Sequence, residues 1–185
     1  YRQMIRPHRQ KMTHAGLCFY EYAVHAKDVL TEVYSINVVM GKRGAVKDLA
    51  VALQWCMENG IEVVNLSVGS RNYWDYFELQ PVLKEMNDKK IVIVAAHSNC
   101  YQFSFPAVSK YSVSARFDNR NLLAGGTYAI TEGALPNREF IFPKQEISDF
   151  VKKYVDVKEE CNSMAAPLLS ALITKTFSYT KGNVV

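Results

Sequence analysis

Ile91-Val92-Ile93-Val94-Ala95-Ala96 is the longest clean apolar run in the chain, and its reading decides the fold. It is far shorter than the about 20 residues a helix needs to cross a bilayer. Short, β-branched and wholly apolar, it reads as a strand in a sheet covered on both faces. Before it, Phe77 to Asn87 reads as a helix, with Pro81 tolerable only near its start. Ile61-Glu62-Val63-Val64-Asn65-Leu66-Ser67 is another strand. Ala45 to Asn59 places Leu49, Leu53, Cys56 and Met57 at helical spacing, and Gly60 stops that helix. Glu32 to Met40 is rich in β-branched and aromatic residues and reads as a further strand, broken by Gly41 and Gly44. Past the opening run, Tyr111 to Ala115 reads as a short strand and Arg116 to Glu160 as loop-rich. Met164 to Phe177 reads as a last helix, with Pro167 in its first turn, where a missing amide costs little. Alternating strands and helices predict an α/β fold with a mostly parallel central sheet, in a single domain over residues 1–185. Such sheets bind ligands beyond the carboxyl ends of their strands. That rule points to Ser67-Val68-Gly69-Ser70 and to Ala96-His97-Ser98-Asn99.

Composition narrows the function classes. The chain has 185 residues, 49% hydrophobic and 22% charged, which suits a globular domain with a sizeable core and argues against disorder. The net charge of +4 is modest, and Arg2, Arg6, Arg9 and Lys11 supply much of it near the start. A basic leader of that kind is a solvated segment. A nucleic-acid surface needs more cations on one face, interleaved with aromatics, so no nucleic-acid partner is expected. No apolar stretch suits a membrane span or signal core, so no membrane partner is expected either. Cys18, Cys56, Cys100 and Cys161 form no closely spaced pair, so neither a metal site nor a disulfide scaffold is expected. Scattered thiols fit a reducing compartment, and the expected location is cytoplasmic. Gly41 and Gly44 complete neither a GxGxxG nor a GxxxxGK pattern, which disfavours a nucleotide site. The first residue is Tyr1, which points to a processed or partial chain.

Three stretches carry chemistry. Cys161-Asn162-Ser163-Met164-Ala165-Ala166-Pro167 puts a serine at a helix start, where free backbone amides and the positive helix end stabilise negative charge on a nearby oxygen. The same serine could simply cap the helix. The stretch resembles the nucleophile motif of subtilisin-like serine peptidases, usually Gly-Thr-Ser-Met-Ala-Ala-Pro. Asn162 for threonine is similar to variants among bacterial peptide-maturation members. Cys161 stands where a glycine is commoner. Ile91 to Asn99 resembles the family strand that ends Ala-Ala-Gly-Asn, whose asparagine donates to the oxyanion; Asn99 takes that position and Ser98 replaces a glycine. Val51 to Ser70 resembles the family helix and strand whose end, here Ser67-Val68-Gly69, pairs with the substrate backbone and walls the specificity pocket.

The resemblance runs from about Thr13 to Thr176 and implies a three-layer subtilisin-like fold, a peptide or protein substrate and no cofactor. Thr13-His14-Ala15-Gly16-Leu17-Cys18 resembles the family's histidine motif in two registers. In one, His14 is the catalytic base; in the other, Lys11 falls on that position and the base is lost. His8, His25 and His97 are weaker candidates, His97 for its place beside Asn99. The family's aspartate ends a strand before the histidine, and neither Asp nor Glu precedes His14; Asp28 lies on its wrong side. The expectation is a chain that lacks the first strand, with an upstream segment or partner chain supplying the carboxylate. Two functions follow. One is a serine endopeptidase acting through a Ser163 acyl-enzyme, with His14 as base and Asn99 in the oxyanion hole. The other is a pseudopeptidase that keeps the cleft and binds a peptide without cutting it.

Overall fold

The computed structural model describes residues 12–40, 43–100, 102–132, 137–154 and 161–181. Helices α1 (His14–His25), α2 (Val46–Glu58), α3 (Asp75–Asp88) and α4 (Ala165–Lys181) surround two sheets. The small sheet pairs β1 (Val39–Met40) with β2 (Arg43–Gly44). The main sheet holds β3 (Val63–Leu66), β4 (Val92–Ala96), β5 (Val113–Phe117), β7 (Arg138–Phe142) and β6 (Ala129–Glu132), in that spatial order. β3, β4, β5 and β7 run parallel, and only β6 is antiparallel to its neighbour. This is the mixed α/β, mostly parallel architecture that the alternation of patterns predicts.

Side chains of successive strand residues point to opposite faces, and β4 shows why its run is wholly apolar. Val94 and Ala96 join one core, with Leu17 of α1 and Leu168 and Leu169 of α4. Ile93 and Ala95 join the other, with Leu53 of α2 and Leu79 and Leu83 of α3. Helices therefore cover both faces, giving three layers. Each fully buried leucine or isoleucine contributes about 1.5–3 kcal/mol of transfer free energy. One charged group is wholly enclosed: Glu21 of α1 accepts from the Ser148 amide at 3.0 Å and from the Ser148 hydroxyl at 2.8 Å. That pins the 144–150 loop onto α1.

Several boundaries differ from the sequence expectation. Glu32 to Met40 is not a full strand: only Val39–Met40 pairs, and 31–38 forms no strand. Its β-branched residues suit a ladder, but a ladder needs a partner, and none lies beside it among the described residues. Tyr34 instead packs edge-on against Trp55 of α2, with ring centroids 5.5 Å apart. α3 starts at Asp75, earlier than Phe77, so Pro81 lies within the helix rather than near its start. The strand expected at Tyr111–Ala115 runs Val113–Phe117. The stretch read as loop-rich, Arg116 to Glu160, contains the β6–β7 pair. The basic cluster Arg2, Arg6, Arg9 and Lys11, and His8 with it, lies outside the described residues. No helix among the described residues is long and apolar enough to cross a membrane.

β3 is an edge of the main sheet among the described residues. A groove of about 620 Å³ runs along that edge, walled by Leu30 to Val38 on one side and by α1, α2 and α4 on the others.

Candidate active site

Ser163 and His14 meet although most of the chain separates them. Ser163 sits in a 3₁₀ turn, Asn162–Met164, that leads into α4. His14 is the first residue of α1, whose start is capped by the Thr13 hydroxyl accepting from the Gly16 amide at 3.1 Å. α1 and α4 share the core that holds Leu17, Met164 and Leu168. That packing brings His14 Nε2 to 2.8 Å from Ser163 Oγ. Of the two registers left open for the histidine motif, this one places an imidazole on the serine. Lys11 lies outside the described residues.

For Nε2 to accept the serine proton, the ring must carry its own proton on Nδ1. Nδ1 faces Cys18 Sγ at 3.7 Å. A carboxylate in that position would stabilise an imidazolium; a neutral thiol does so weakly. Burial pushes the Cys18 thiol up to about 11, so it stays protonated at neutral pH. Burial also lowers the His14 pKa below its usual 6.5, which keeps the ring in the neutral, proton-accepting form.

Asn162 is the strut of the site. It is fully buried, and its side-chain oxygen accepts from the Phe117 amide at 3.0 Å while its side-chain nitrogen donates to the Ser98 carbonyl at 3.1 Å. Its backbone amide donates to Asn99 Oδ1 at 2.9 Å. A backbone N–H needs an acceptor, so this bond fixes which end of the Asn99 side chain is oxygen and leaves Nδ2 as its donor end. Ser67 Oγ donates to the Ser163 carbonyl at 2.8 Å. Behind it, Asn65 donates to Ser67, and Ser170 of α4 donates to Asn65, each at 3.1 Å. Cys161 Sγ lies 3.1 Å from Ser163 Oγ, a second contact for the hydroxyl besides His14.

A cleft of about 300 Å³ opens beside Ser163 and His14. Ser67, Val68, Gly69, Ala96, His97, Ser98 and Asn99, the residues selected at the strand ends, all line it. Gly69 leaves room for Ser104 Oγ, which a Cβ at that position would displace. The Ser70 amide donates to Phe105 O at 2.8 Å and the Phe105 amide to Ser70 O at 2.9 Å, which holds this wall. The remaining histidine candidate, His25, sits at the far end of α1 with Nε2 3.1 Å from Glu21 Oε1, away from the cleft. Arg71 and Ser104 also line the cleft and carry no sequence signal. Asn162 carries none for its role either, since it acts through contacts distant along the chain, whereas Cys18 meets Nδ1 one turn along α1 from His14. Among the described residues no group of His, Cys, Asp and Glu is disposed to hold a metal ion.

No protein-family model matches the chain. Over 102 residues, 52% of the chain, it is 29% identical to Subtilisin BL from Lederbergia lenta. Among solved structures, a lanthipeptide protease superposes with a TM-score of 0.63, at 14% identity, over 97% of the chain. The prenylagaramide maturation protease PagA superposes at 0.46, with 14% identity over 78% of the chain. The chain spans 37% of the length of Subtilisin BL, 66% of the lanthipeptide protease and 54% of PagA. The fold is thus that of a protease, and half of the sequence is similar to a peptidase.

Proposed function

We propose that the chain is the nucleophile-bearing part of a subtilisin-like serine endopeptidase that processes peptides or precursor proteins. The observation that carries this reading is the 2.8 Å contact between His14 Nε2 and Ser163 Oγ. His14 takes the serine proton as Oγ attacks the scissile carbonyl, then passes it to the leaving amine as the acyl-enzyme forms; a water repeats the cycle in reverse. Asn99 Nδ2 and the Ser163 backbone amide hold the oxyanion. The Ser67–Gly69 segment pairs with the extended substrate. The likeness to Subtilisin BL supports the reaction type, and the fold shared with the lanthipeptide protease suggests a peptide substrate.

The carboxylate that orients the histidine is the missing part, since Cys18 faces Nδ1 in the described chain. We assign it to an added strand, from an upstream segment or a partner chain, seated in the groove along the open edge of β3. That groove reaches His14 and Cys18, so a strand lying in it could end beside Nδ1. The Cys18 contact also favours the second reading, a pseudopeptidase that binds peptides without cutting them. A fluorophosphonate probe separates the two. The folded chain should be labelled, and Ser163→Ala should abolish the labelling. Labelling that survives the substitution refutes Ser163 as the reactive group, and a folded parent that takes no label selects the binder.

A further inference from the structure

The cleft beside Ser163 is lined mainly by polar side chains. Arg71 stands on one wall and His97 on another, with the hydroxyls of Ser67, Ser98 and Ser104 and the amide of Asn99 between them. Among the described residues no carboxylate lines it. Arg71 Nη1 donates to Gln102 Oε1 at 3.2 Å, which ties the guanidinium to the segment that follows Asn99. His97 Nδ1 faces the Ser98 carbonyl at 3.2 Å. A carboxylate lies against His97: Glu139 Oε1 is 3.8 Å from His97 Nε2 and 3.0 Å from Arg116 Nε. Arg116 answers that charge. Among the described residues that line the cleft, Arg71 is thus the one fixed charge.

Each class of side chain fares differently here. An apolar one strips water from hydroxyls and a guanidinium and returns no hydrogen bond. A lysine or arginine meets like charge. A carboxylate accepts from Arg71 and from the Ser98 and Ser104 hydroxyls, and charge-assisted bonds of that kind are the strong ones. The cleft touches both Ser163 and Asn99, so the side chain it receives is that of the residue whose carbonyl is attacked. We propose that this chain selects glutamate or aspartate on the amino side of the scissile bond, with Arg71 as the main determinant. The proposal rests on reading Ser163 as the nucleophile, and it names the substrate class of that same site.

The test uses three peptidyl phosphonate probes that differ only in the residue bonded to phosphorus, glutamate, glutamine or lysine, beside a simple alkyl fluorophosphonate. The glutamate probe should label Ser163 about tenfold faster than the glutamine probe, the effect of one hydrogen bond to a charged group. The lysine probe should be slowest. Arg71→Glu, at an exposed position, should reverse the order of glutamate and lysine. Equal rates for the three probes overturn the proposal while alkyl labelling leaves the serine reading standing. A glutamate preference that survives Arg71→Glu overturns it as well. If the alkyl probe fails, the serine reading falls, and fluorescence anisotropy of the matching peptides on the Ser163→Ala protein decides the selectivity alone: tighter glutamate binding supports it, and equal affinities overturn it.

Discussion

Ser163 Oγ has two polar neighbours, His14 Nε2 at 2.8 Å and Cys161 Sγ at 3.1 Å, and their difference sets how the residue behaves. Cys161 is half-buried beside Ser163, whereas Cys18 and Cys56 are buried with thiols pushed up by burial. Iodoacetamide should therefore reach Cys161 before those two, and the added group should block phosphonate labelling of Ser163. Cys161→Ala should make labelling resistant to alkylation; a variant that is still blocked would show that another thiol is responsible. Asn99 is held by its oxygen, so Asn99→Ala removes the donor without touching the base. Steady-state turnover should fall by about 10²–10³, with peptide affinity little changed. An equal loss in affinity would place Asn99 in substrate binding instead. The acid limb of Ser163 labelling should lie below pH 6.5, because burial depresses the His14 pKa; a limb above that value would mean that a carboxylate already faces the ring.

Helix α1 carries His14 at one end and the Glu21–His25 contact near the other, so its anchoring is also an electrostatic matter. The Glu21 carboxylate beside His25 raises the His25 pKa above its usual 6.5. A raised folded-state value means the pair stabilises fully below the unfolded pKa and loses that contribution as pH rises through the folded one. The melting temperature should fall as pH rises from about 6.5 upward, and His25→Gln should flatten that part of the profile. A flat profile in the parent would show that the pair does not contribute. The elements themselves differ in how legible they are. β4 can be read from sequence because both its faces are buried, which leaves no polar residue to confuse the pattern. β6 cannot: its residues alternate between half-buried and exposed, and Ala129-Ile130-Thr131-Glu132 exposes the larger aliphatic side chain. Glu32 to Val38 looks like a strand because propensity reports side-chain type, while pairing depends on a neighbour. Ser163, Asn99 and His14, the residues expected to form the site, each lie in a local motif. Asn162 takes its contacts from partners dozens of residues away, which no local pattern encodes.

At the level of the whole molecule, the open edge of β3 and the groove beside it set the main expectation. An apolar synthetic peptide ending in aspartate, added in trans, should seat there by strand addition. Labelling of Ser163 should rise by up to about 10⁴-fold, the worth of an orienting carboxylate in serine peptidases. The acid limb should move upward, since a neighbouring negative charge favours the imidazolium. The same peptide ending in asparagine should have neither effect; if it matches the aspartate peptide, the gain comes from packing and not from charge. Finally, His14 and Ser163 stand 149 positions apart. A ribosome making this chain releases the imidazole long before the hydroxyl, and every strand of the main sheet precedes α4, so the contact between the two side chains can form only after the strands have been made.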